Sequence, residues 1–153
     1  MNGEANKAAP PAEVPAAAEL TSDDKLWGML GHVLALIGVV GVPFGNLIGP
    51  AIVYFVRKDQ SKFVRYHAIQ SFAFQLLLLA AGIVLMIPTF ILIAITGGRL
   101  ALVLWPLFIL IGLGLLVYVI MMGVKANKGE LCKYPVVGAW VYKQVFERDW
   151  KPV

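Results

Sequence analysis

Charge is what this chain has least of, and what there is of it is unevenly spread. Charged residues make up 14% of 153, well under the roughly 25% of soluble domains. Leu26 to Val56 holds no Lys, Arg, Asp or Glu, and from Tyr66 to Val124 only Arg99 interrupts the apolar sequence. Uncharged apolar runs of about 18 residues or more mark membrane spans, so a water-soluble domain is excluded. Cysteine is nearly absent too. A single Cys132 forbids an internal disulfide and alone cannot build a Cys-based metal site. The apolar runs lack period-two alternation, which disfavours a β-barrel. They also lack acidic residues, which argues against a proton- or cation-coupled pump. There is no Ser-His-Asp arrangement, no paired carboxylates and no metal-ligand spacing, so the chain reads as non-enzymatic and without a cofactor.

What is present is 59% hydrophobic, with a net charge of +4. The basic residues flank the apolar runs rather than forming one soluble face, which points to membrane topology and not to nucleic acid. Residues 1–22 are Ala/Pro-rich without apolar periodicity and are expected to be a disordered cytoplasmic tail. That tail has no basic stretch leading into an apolar core and no Arg, so neither a secretory signal nor a transit peptide is expected. Residues 23–128 read as an all-α, polytopic transmembrane domain of about four helices, over 26–42, 44–56, 61–95 and 100–124. Thr21 or Ser22 caps the first helix, with Asp23 and Asp24 suiting its positive end. Pro43 and its flanking glycines turn the first two segments into a short helical hairpin. The second segment has 13 residues, about 20 Å of helix, short against a hydrocarbon core of about 30 Å. Residues 129–153 form a C-terminal interfacial segment. The apolar spacing at 136, 137, 140, 141 and 145, near Tyr134, Trp140, Tyr142 and Trp150, suits an amphipathic helix in the membrane plane.

Twelve basic residues fall on one side of this layout and Arg99 alone on the other. The positive-inside rule then places both termini in the cytoplasm of a bacterial inner membrane. Arg57, Lys58, Lys62 and Arg65 form a basic cytoplasmic loop facing anionic lipid headgroups, each worth about 1 kcal/mol near the surface. Phe63 and Tyr66 are expected as interface anchors beside them. On a helix, His67, Gln70, Ser71 and Gln75 share one polar face. Helix-to-helix hydrogen bonding is its first reading, a water-filled path for a small solute or ion its second, and catalysis a distant third. His32 lies inside the first span. It and His67 could pair around haem or a metal, but without a carboxylate behind them hydrogen bonding within the bundle is the expectation. Gly38, Gly41, Gly45 and Gly49 at three- and four-residue steps mark the tight corner of the hairpin. A self-association face, and hence a homo-oligomer, is the lesser reading.

The stretches LWGMLGHVLALIG, FGNLIGPAIVYFVRKDQSKFVRYHAIQSFAFQ and GELCKYPVVG, over roughly 24 to 138, resemble the Tic-twenty-like family. This comprises bacterial membrane proteins of unknown function and the twenty-kilodalton Tic subunit of chloroplast inner-envelope import. Pro50, Phe63, Val64, Arg65, His67, Ala68 and Gln70 match its pattern, while Ala73-Phe74 stands where many bacterial members have Asn-Phe. The resemblance implies a four-helix membrane protein without catalytic activity. It also implies a partner in preprotein translocation, either other membrane proteins or a translocating polypeptide.

Overall fold

The computed structural model describes residues 19–148; most of the Ala/Pro-rich tail and the last five residues, with Trp150, lie outside the described residues. Every regular element among the described residues is helical: α1 (Ser22–Val33), a 3-10 turn (Leu34–Gly38), α2 (Gly45–Arg57), α3 (Lys62–Ile95), α4 (Ala101–Asn127) and α5 (Val137–Tyr142), which runs on as a π-type turn over Lys143–Arg148.

The first helix starts at a capping box. Thr21 Oγ1 accepts from the Asp24 amide at 3.0 Å, and the Asp24 carboxylate accepts from the Thr21 amide at 3.1 Å. Asp23 pairs with Arg57 at 2.9 Å, and the Arg57 guanidinium lies 4.5 Å from the Trp27 ring centroid. The start of α1 and the end of α2 are therefore held at one level, and the hairpin returns the chain to the side it left. A continuous helix to residue 42 does not form. The α-geometry stops at Val33 because α2 crosses there at backbone contact: a Cβ on Gly49 would stand 2.2 Å from the Leu34 carbonyl oxygen. The chain tightens into a 3-10 turn and re-enters helix through Phe44, which holds a left-handed φ of 55°.

Ser61 caps α3. At 1.5 Å per residue the 34 residues of α3 and 27 of α4 reach about 51 and 40 Å. These two helices are long and apolar enough to cross a membrane. None of the most apolar 18-residue stretch of α3 is buried, and 17% of that of α4, so neither is the core helix of a soluble fold. Leu85, Ile87, Phe90, Leu102, Trp105 and Leu110 are among the side chains that leave this hairpin uncovered.

The other end of the molecule is packed. The first 14 residues of α3 meet α1 and α2, the last turns of α4 lie against α1, and α5 docks on α3. Phe63 and Tyr66 belong to this core, at 1% and 0% exposure. They do not anchor an interface, because α1, α2 and the C-terminal segment cover their face of α3. Tyr134, expected beside a helix lying in the membrane plane, is also buried, stacked on Phe74 with centroids 4.1 Å apart and edge-on to Tyr118 of α4. Val141, Val145 and Phe146 bury themselves around Tyr66 while Trp140 stays exposed. The C-terminal segment is thus docked through one face of its helix.

Candidate functional site

The polar face of α3 closes the packed end. His67 lies five residues beyond Lys62, about 8 Å of helical rise, and is fully buried, as is His32 of α1. Their approach depends on Gly31, where a Cβ would stand 3.2 Å from the Ala68 amide nitrogen. That leaves His32 Nε2 2.9 Å from His67 Nδ1, with the rings edge to face. The other nitrogen of His32, Nδ1, faces the Tyr134 hydroxyl at 3.2 Å. His67 Nε2 has no hydrogen-bond partner. The Glu130 backbone is the polar group beside this ring.

Gln70, one turn along, uses both ends of its amide on the segment after α4. Its Nε2 donates to the Cys132 carbonyl and its Oε1 accepts from the Tyr134 amide, both at 2.9 Å. The Tyr66 hydroxyl donates to the same carbonyl at 2.9 Å. One glutamine thus pins residues 132–134, and with them the Cys132 side chain. The sulfur stands 4.0 Å from His67 Nδ1 and 3.6 Å from the Met122 carbonyl. Burial pushes the Cys132 thiol up to about 11, so it is protonated near neutrality and is no ready nucleophile. Tyr134 is raised by burial as well. His32, His67 and Cys132 each offer one ligand atom, and all three atoms lie within 4.8 Å of one another.

The remaining polar-face residues have other neighbours. Gln75 accepts from Asn46 Nδ2 at 3.4 Å on the wall of a 490 Å³ cavity beneath the hairpin corner. Ser71 Oγ is buried without a hydrogen-bond partner. In the basic loop, Arg57 pairs with Asp23 and donates to Gln60 at 2.6 Å. Lys58 reaches Asp59 at 4.0 Å, Lys62 is exposed, and Arg65 is half-buried. The pairs of Arg57 and Lys58 lie among the loop and α1 side chains, away from the histidines. Sequence reasoning missed Tyr134 and Cys132 as parts of the polar core. Their only signal was the short segment GELCKYPVVG, whose polar partners on α3 lie more than sixty residues away.

One family model, MamF_MmsF, described as the magnetosome magnetite crystal formation protein family, matches residues 23–141. The match runs from the first turn of α1 to α5 and includes every residue of the polar core. No curated protein and no solved structure matches the chain. This finding overturns the Tic-twenty-like resemblance, and the link to preprotein translocation falls with it. The physical reason lies in where the shared residues sit. Pro50, Phe63, Val64, His67, Ala68 and Gln70 are all buried, so as a shared pattern they report how the helices pack and do not point to translocation.

Proposed function

The chain belongs to the magnetosome magnetite crystal formation protein family, and from that premise we propose that it is a non-enzymatic integral protein of the magnetosome membrane that supports magnetite crystal formation. Membership implies a small membrane protein in magnetosome formation. In our reading α3 and α4 cross the bilayer, and the shorter α1–α2 hairpin enters it only in part, giving a four-helix membrane body. Both termini and the loop of Arg57, Lys58, Lys62 and Arg65 face the cytoplasm, where those cations meet anionic headgroups. The observation that carries the reading is the family match across 119 residues (23 to 141) of a chain whose longest helices expose an apolar belt. A non-catalytic role agrees with a thiol held protonated by burial and with Gln70 and Tyr66 spent on the backbone of residues 132–134.

The test is deletion and complementation in a magnetite-forming bacterium. A tagged copy should fractionate with magnetosome membranes, and its loss should change the size or number of crystals seen by electron microscopy. Crystals unchanged by the deletion would defeat the proposal, as would a protein found only in other membranes.

A further inference from the structure

We propose that His32 Nε2, His67 Nδ1 and Cys132 Sγ together bind one divalent transition-metal ion of the zinc, cobalt and ferrous class. The inference goes beyond the family reading and stands on geometry alone. The three donors come from α1, α3 and the segment after α4, so their convergence is a product of the tertiary fold and not of a local motif. Two nitrogens of a tetrahedral site lie about 3.3 Å apart, and a nitrogen and a sulfur about 3.6 Å, from metal–ligand lengths of about 2.0–2.1 and 2.3 Å. The chain holds the first pair at 2.9 Å and the second at 4.0 Å. The third pair, His32 and Cys132, stands within 4.8 Å, so opening the first gap by a few tenths of an ångström and drawing the sulfur in by up to about 1 Å admits the ion.

The surroundings suit that ion. A coordinating imidazole usually gives its other N–H to an acceptor, which fixes its tautomer and orientation. Tyr134 Oη is placed to accept from His32 Nδ1, and Tyr134 is itself fixed by its stack on Phe74 and its amide bond to Gln70. Without metal, one proton occupies the gap between the two imidazoles. With metal, the ion takes that proton's place and the proton moves to the outer nitrogen of its own ring, so both facing nitrogens present lone pairs; the coordinated thiol gives its proton to solvent. Imidazole and thiolate are borderline-to-soft donors, which select zinc-like ions over Mg²⁺ or Ca²⁺. Among the described residues no further His, Cys or carboxylate joins the three, so a tetrahedral ion keeps one position for a water or a small anion. The half-buried side of Cys132 is the route in.

The test uses the full chain, purified in detergent without a polyhistidine tag, stripped with chelator and titrated with Co²⁺. Uptake should be one ion per chain, with a thiolate-to-cobalt charge-transfer band in the near ultraviolet. Zn²⁺ or Fe²⁺ should displace the cobalt and Mg²⁺ should not. Cys132→Ser should abolish the charge-transfer band. Tyr134→Phe should keep the band while weakening affinity about 10- to 100-fold. Zn²⁺ should slow maleimide labelling of wild-type Cys132 at least ten-fold, a readout that needs no variant to fold. The proposal is overturned by absent stoichiometric uptake in the wild-type chain, by Cys132→Ser binding with an unchanged spectrum, or by labelling that ignores Zn²⁺. None of these failures touches the crystal phenotype on which the family reading rests.

Discussion

Replacing Gly49 with alanine tests whether the hairpin corner is a backbone-to-backbone contact. A Cβ at this position would lie 2.2 Å from the Leu34 carbonyl oxygen, 2.4 Å from its carbon and 2.8 Å from Leu34 Cβ. None of those atoms can rotate aside, so α2 must retreat by about 1 Å to reach ordinary contact distances of roughly 3.5 Å. Overpacking of this kind costs about 1–3 kcal/mol and occasionally more. Alanine returns up to about 1 kcal/mol by restricting the unfolded chain and favouring helix. Because the clash is with backbone, the upper part of the range applies, and the net loss is about 2 kcal/mol. For a domain of this size that lowers the melting temperature by about 6–10 °C. The assay is thermal unfolding in detergent, followed by near-ultraviolet circular dichroism. Gly82→Ala is the control, since a Cβ there meets nothing within 4 Å, and it should melt at or slightly above the wild-type temperature. If Gly49→Ala melts with the control, the close crossing that ends α1 at Val33 does not exist.

Gln70→Ala strands the Tyr134 amide in the packed end, while the Cys132 carbonyl keeps the Tyr66 hydroxyl, and should cost about 2–3 kcal/mol by the same melt. Gln75→Leu gives up one long bond to Asn46 and should cost about 1 kcal/mol or less; equal losses would mean that Gln70 does not hold the segment. Asp23→Asn removes an ion pair whose side chains are 26% and 55% exposed and should cost under about 1 kcal/mol, shrinking further in high salt. A larger loss, indifferent to salt, would contradict a screened surface pair. Reporters inserted at 59–60 and at 97–99 should face opposite sides of the membrane, the first with the cytoplasm; reporters on the same side would contradict a spanning α3.

Features set by local chemistry were legible in the sequence. Of three charge-free runs longer than 20 residues, at 26–56, 66–98 and 100–124, the last two form helices long and apolar enough to cross a membrane, and the Thr21–Asp24 cap needs only four neighbouring residues. Helical spacing also placed His67, Gln70, Ser71 and Gln75 on one face, and all four are buried in the structure. Features set by which helix lies opposite were not legible. An aromatic residue near a lysine-rich loop suits the interface and the core equally. Tyr66 is in the core because Val141, Val145 and Phe146 fold back over it from beyond α4. The break at Val33 was hidden for the same reason, since it is imposed by Gly49 and not by any helix breaker in the first segment.

The misread resemblance follows from the same distinction. A run such as Phe63-Val64-Arg65-Tyr66-His67-Ala68 is distinctive because nearly every position in it is packed, with Arg65 alone half-buried. Packed positions are constrained by the helices they touch, so similar runs can occur wherever a short hairpin leans on a long spanning helix. Chemistry that distinguishes one such protein from another has to come from groups the packing does not need. In this chain the polar core is largely closed by Gln70 and Tyr66 acting on the backbone of residues 132–134. The Cys132 sulfur is different, because a serine or alanine there would leave the carbonyl accepted by Gln70 and Tyr66 in place. The side chain at 132 packs beside Phe74, Met122 and Tyr134, but the backbone bonds do not require a sulfur there, and a thiol facing two buried imidazoles is where chemistry beyond packing can reside.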